Sequence, residues 1–220
     1  YGQMPHVPAI TRLHAARHAR TTTDYYCDFW TQLGWTILSC GFYSFYVHYR
    51  MIERLREHNR RRLELLGAAN EIAWERAQQQ GRADELRPWF ERVAVDLSVM
   101  QRQTTEFREP WVWIALLFVG GGIVQFVLFF LFDGDLIKHS AAERSAEYHL
   151  TQILDTLGVH VGGPAAPPPK DPHQYALRIV ATIFTCGIYG FWWLYDLMQD
   201  GNVHFARDAA FEDALVPALG

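Results

Sequence analysis

At 220 residues the chain is large enough for one compact domain or for a membrane unit with one appendage. A formal net charge of −4 argues against a general polyanion binder, and three cysteines (Cys27, Cys40, Cys186) with no CxxC pair argue against a disulfide framework. Apolar residues are clumped, and most of the 8 Trp, 10 Tyr and 14 Phe lie in or beside the clumps, as in membrane spans with interfacial aromatic belts.

In chain order, residues 1–29 read as an N-terminal surface segment, a loop with Pro5 and Pro8 and then a short helix bearing Arg12, Arg17 and Arg20. The first apolar block, WTQLGWTILSCGFYSFYVHY, can cross ~30 Å of hydrocarbon and is assigned as a transmembrane helix over 30–50. Residues 51–110 change character. Ile52, Leu55, Leu66, Ala69 and Ala73 fit a heptad seam interrupted by Asn59 and Arg62. After Gly81, a cleaner series runs Leu86, Phe90, Val93, Leu97, Met100, Thr104, Phe107 and Trp111, with Pro88 in the early turns. This pattern predicts an antiparallel helical hairpin projecting from the membrane, with Leu86, Phe90, Val93, Leu97 and Met100 as a partner-binding face.

The second block, WVWIALLFVGGGIVQFVLFFLF, is uncharged and predicts a second span over 111–132. Gly120, Gly121 and Gly122 at its centre would admit a neighbouring helix. The alternative is a broken, re-entrant hairpin, which needs surrounding protein to satisfy its backbone. The straight span is the expectation. Across 133–174, Ser140 and Glu143 form a capping box that should start an amphipathic helix with Leu150, Ile153, Leu154 and Leu157, ending at Gly158. A stiff Pro-rich linker follows over 162–172. The third block gives a third span over 175–198, with Arg178 and Asp196 near its ends, and 199–220 is a C-terminal tail.

The first and third blocks repeat one another: TILSCGFYSFYVHY from Thr36, TIFTCGIYGFWWLY from Thr182. Gly41 and Ser44, like Gly187 and Gly190, stand one helical turn apart and predict a helix-packing groove. Tyr43, Tyr46, Tyr189, Trp192 and Trp193 predict an interfacial aromatic set. On Gly187, Ile188, Tyr189, Gly190, Trp193 and Tyr195, matched partially by Gly41, Tyr43 and Tyr49, the chain resembles an uncharacterised family of small bacterial membrane proteins, domain of unknown function 4234. Phe42, Ser44 and Val47 depart from that pattern. The resemblance implies a membrane protein and no particular activity.

The fold class expected is therefore an all-α integral membrane protein with about three transmembrane helices and a projecting helical hairpin. Twelve arginines in 50–110 place that hairpin in the cytoplasm by the positive-inside tendency. Three crossings of the inner membrane then put the N-terminus outside and the C-terminus inside.

No phosphate loop, HExxH or nucleophile elbow is present, so no catalytic, cofactor or metal residues are assigned. His14 and His18 read as a surface pair, His48 as an interfacial polar residue, and Asp133 and Asp135 as solvated helix ends. The expected role is a non-catalytic accessory or regulatory subunit of a larger bacterial membrane complex serving lipid transport or respiration. It would contact the bilayer and its anionic headgroups, and no nucleic acid. A small oligomeric transporter or channel is the alternative, and a membrane-bound enzyme stands third.

Overall fold

The computed structural model describes residues 7–162 and 174–220, so most of the Pro-rich linker lies outside the described residues. Among the described residues the chain is all α-helical: α1 (Ala9–Thr23), α2 (Phe29–Leu38), α3 (Tyr43–Gln79), α4 (Ala83–Thr105), α5 (Pro110–Thr156), α6 (Tyr175–Phe184) and α7 (Ile188–Leu219).

The first and third apolar blocks are not straight helices. Cys40 and Cys186 take φ of 52° and 50°, and Gly41 and Gly187 after them take 94° and 95°. Two successive left-handed residues reverse the chain, and a glycine accepts that conformation without the clash a Cβ brings. Each turn satisfies its own backbone. Gly41 N–H donates to Thr36 O and Gly187 N–H to Thr182 O, both at 2.8 Å. The hydroxyls of Ser39 and Thr185 accept from the N–H groups of Tyr43 and Tyr189, capping the returning helices. The repeated motif is thus a turn signature, which corrects the packing-groove reading of Gly41 and Gly187.

The middle block reverses too. By length and composition α5 could cross a membrane, with a window of mean hydropathy 2.5. Its backbone, however, leaves helical geometry at Gly121 (φ 51°, ψ −131°). Arg108 then pairs with Asp135. A straight helix would hold those two residues about 40 Å apart at 1.5 Å per residue. The straight span expected here is corrected to a hairpin with arms 110–120 and 122–156.

The three hairpins are in one register. The same number of residues separates Phe29 from Cys40, Pro110 from Gly121 and Tyr175 from Cys186, all first residues of an arm and its reversal. The long returning helices, α3, 122–156 of α5, and α7, run side by side. Their inward residues form layers: Val47, Leu128 and Trp193; Met51, Phe132 and Leu197; Leu55, Leu136 and Gly201. The step between these layers is four residues on every helix, about one helical turn. Gly201 leaves room at its layer for the Arg54 guanidinium, which a Cβ there would approach to 2.5 Å and displace.

Two elements wrap this trio beyond the apolar arms. Helix α1 lies on α3 through Leu13 and Ala16 and pairs Arg12 with Glu64. It also reaches the end of α7, where Arg17 bonds Asp213 at 3.0 Å. Helix α4 returns after Gly81 (φ 68°), so the hairpin of α3 and α4 is present. Its seam is not a free face: Leu86, Phe90, Val93 and Met100 are buried in a core with Leu66, Leu150 and Leu154, and Leu97 packs against it. The partner-binding assignment for those five residues is corrected accordingly. So is the expected topology, which puts 1–29 and 51–110 on opposite sides of a membrane. They pack together. The capping box at Ser140 and Glu143 does not start a helix either, since both lie mid-helix in α5. The stop at Gly158 holds, with φ 79° and Val159 N–H donating to Leu154 O.

Candidate functional site

One end of the helix trio is apolar and exposed. From Trp30 to Val47, Trp111 to Phe132 and Ile179 to Tyr195 there is no charged side chain. Trp35, Leu38, Phe42, Phe118, Val119 and Phe184 are all more than half exposed. At the necks of the hairpins basic residues are partnered: Arg178 with Asp196 at 2.7 Å, Arg108 with Asp135, and Arg50 with Glu53 while lying over the Tyr25 ring.

Beyond the apolar layers, the same register places one histidine on each long helix. His58, His139 and His204 stand equally far beyond Cys40, Gly121 and Cys186. Their rings form a near-equilateral triangle, with centroid separations of 5.7, 5.1 and 5.6 Å. All three are buried. One turn further come Arg62, Glu143 and Asp208, and another turn brings Glu147 and Glu212.

His58 Nδ1 meets Asp24 Oδ1 at 2.9 Å, and its Nε2 meets Asp208 Oδ2 at 3.1 Å. Burial pulls the His58 pKa down, but those two carboxylates outweigh it and raise it. His139 has no such bond, and burial pushes it to about 3, so its ring is neutral. Burial also lowers His204. Glu143 Oε2 stands 3.6 Å from His139 Nε2 and 3.4 Å from His204 Nε2. Burial would raise Glu143, but the Arg62 guanidinium holds it well below the usual carboxylate range.

Arg62 is fully enclosed by Glu143, Glu147 and Glu212. Arg61 bridges Asp24 and Glu212 at 2.8 and 2.6 Å. Five buried carboxylates, Asp24, Glu143, Glu147, Asp208 and Glu212, therefore face two buried guanidiniums, with Arg207 and Arg20 reaching in from the rim. His139 Nε2, His204 Nε2 and Glu143 Oε2 make no hydrogen bond. His58, His139, Glu143 and His204 offer donor atoms within 4.8 Å of one another. Two imidazoles held neutral by burial, a third between two carboxylates, and a glutamate make a cation-binding donor set.

The residues singled out from sequence fall elsewhere. Gly41, Gly121 and Gly187 make the turns, Gly122 faces open space, and a Cβ on Gly120 would meet the Val124 side chain. Gly190 does admit a close neighbour, Thr182 of α6, and Ser44 bonds Gly41 O at 2.7 Å. Tyr46 and Trp192 are exposed on the apolar end, while Tyr43 and Tyr189 are half-buried. Trp193 is core, packed on Phe126, Phe129 and Tyr175. His48 is buried against Phe129, its Nδ1 2.7 Å from Ser44 O. Asp133 is buried and accepts from the Tyr175 hydroxyl at 2.6 Å, so it is no solvated end. Cys40 and Cys186 are exposed at the turns. His14 and His18 are exposed, as expected of a surface pair.

None of the histidines of the triangle was picked out by sequence pattern. A signal existed. His139, Glu143 and Glu147, like His204, Asp208 and Glu212, recur every fourth residue and share one helix face. No family model, no curated protein and no solved structure matches the chain.

Proposed function

We propose that this chain is a membrane-seated protein held in one leaflet by its three hairpins, with its functional centre buried in the helix trio directly beyond them. The observation that carries this reading is the common level and chemistry of the three tips. Each is uncharged, apolar and exposed, and each returns to the side it came from. Helices α2 and α6 have 10 residues each. At 1.5 Å per residue each reaches about 15 Å, half the hydrocarbon thickness. The turns at Cys40 and Cys186 bond their own N–H groups, which lipid demands of any backbone within it. The tryptophans and partnered arginines at the necks suit the headgroup level.

Cys40 and Cys186 sit on two tips and provide native labels, Cys27 being buried. An environment-sensitive thiol probe on either should report hydrocarbon when the protein is added to phosphatidylcholine and phosphatidylglycerol vesicles. Lipid-borne quenchers should quench it. A probe that stays in water, on protein that does not float with the vesicles, contradicts the reading.

The role as an accessory subunit, and the place in the uncharacterised family suggested by the turn motif, stay proposals. One feature supports a partner: an open groove between α1, α3 and α4, lined by Ala15, Ala19, Arg56, Arg60, Gln101 and Thr104. It now replaces the α4 seam as the surface a partner would use. Purification under mild detergent should retain that partner, and migration of the chain alone would count against it.

A further inference from the structure

We infer that His58, His139, His204 and Glu143 bind one divalent first-row transition-metal ion. The inference rests on the centre's geometry and is independent of the membrane reading. Ligand atoms about 2.0–2.1 Å from a tetrahedral metal stand about 3.3 Å apart. The separations of Glu143 Oε2 from His204 Nε2 and His139 Nε2, 3.4 and 3.6 Å, are close to that edge. The four donors lie within 4.8 Å of one another. A shift of His58 by roughly a bond length closes the set.

Three of those donors are buried with no hydrogen bond. An unsatisfied buried polar atom costs about 1–3 kcal/mol, and although His204 Nε2 stands 3.1 Å from Asp208 Oδ2, three such atoms converging on one point favour an occupant. Five carboxylates stand against two buried and two rim guanidiniums, and that surround favours a cation over an anion. Imidazole with one carboxylate selects zinc, iron(II), cobalt or copper over calcium and magnesium. The outer partners are in place: Asp24 fixes His58 through Nδ1, and Ser140 Oγ stands 3.3 Å from His204 Nδ1. Asp208 now bonds His58 Nε2, the atom the metal takes. Arg207 Nε, 3.4 Å from Asp208 Oδ1, is positioned to receive that carboxylate.

A second ion is excluded from the adjacent group of Glu143, Glu147 and Asp208. The Arg62 guanidinium already bonds both glutamates of that group, and Arg207 bonds Glu147 and stands 3.4 Å from Asp208 Oδ1.

The test is equilibrium dialysis of the full chain in detergent, without vesicles, against cobalt(II) and zinc(II), with calcium as control. One cobalt per chain should bind with the visible absorption of four-coordinate cobalt, zinc should displace it, and calcium should not bind. His139→Gln and His204→Gln should each weaken binding more than about 100-fold, and Asp24→Asn about 10–100-fold. His18→Gln, on the surface, should change nothing. A folded wild-type chain that binds neither metal stoichiometrically overturns the inference. So does a folded His139→Gln chain that binds as well as wild type. If the variants lose their helical circular dichroism, X-ray absorption of the wild-type cobalt site decides. Three imidazoles in its shell support the assignment and fewer overturn it.

Discussion

Arg62, with Asn59, interrupts the apolar seam on α3, and in the folded chain it becomes the counterion of three buried glutamates. Removing one partner of such a network leaves charge stranded in a low-dielectric core. Arg62→Met should therefore destabilise the protein by about 3–5 kcal/mol, read from urea unfolding in detergent, and Arg62→Lys should not restore the loss, because an ammonium lacks the planar fork. Adjacent tryptophans make a sharper comparison. Trp193 is 1% exposed and packs on two phenylalanines, whereas Trp192 is 56% exposed on the apolar end. Trp193→Ala should cost about 3–5 kcal/mol by cavity formation. Trp192→Ala should leave stability within about 0.5 kcal/mol but weaken vesicle binding in a flotation assay. Sequence gave both residues the same interfacial role, because helical periodicity at a break in the helix does not tell which ring turns inward.

At the scale of elements, the duplicated motif was legible and its meaning was not. Thr36, Ser39, Cys40 and Gly41, with Thr182, Thr185, Cys186 and Gly187, read as a span with a groove, since small residues are common at helix contacts. Their hydroxyl and amide bonds make them a turn instead. Ser39→Ala and Thr185→Ala should each cost about 1 kcal/mol, the usual worth of a helix cap, and both should lower the melting temperature. The middle copy was hidden because Leu117, Gly120 and Gly121 replace the threonine, the capping hydroxyl and the cysteine that mark the others, leaving only Gly122 in common. Only the common register of arms and reversals reveals it. The α3–α4 hairpin and the stop at Gly158 were legible, since heptad spacing and a C-terminal glycine act locally. The fate of the α4 seam was not, because apolar periodicity does not say whether the covering surface is another chain or, as here, α5.

For the whole molecule, composition announced an α-helical chain with exposed apolar blocks, and positive-inside counting then supplied a three-crossing topology. That count fails when every block returns to its own side, since all flanks then share one compartment. The buried centre was illegible for a related reason. Its histidines lie in three distant segments, and only the parallel packing of α3, α5 and α7 brings them to one level. The central claim is that all three hairpins enter and leave through the same face of the bilayer. Asp28 and Arg60 flank the first hairpin and are both exposed. Asp28→Cys and Arg60→Cys, placed singly in a chain with Cys40→Ser and Cys186→Ser, should react equally with a membrane-impermeant maleimide added outside sealed vesicles. Reaction of one and protection of the other would show that the block crosses the bilayer, and would contradict this account.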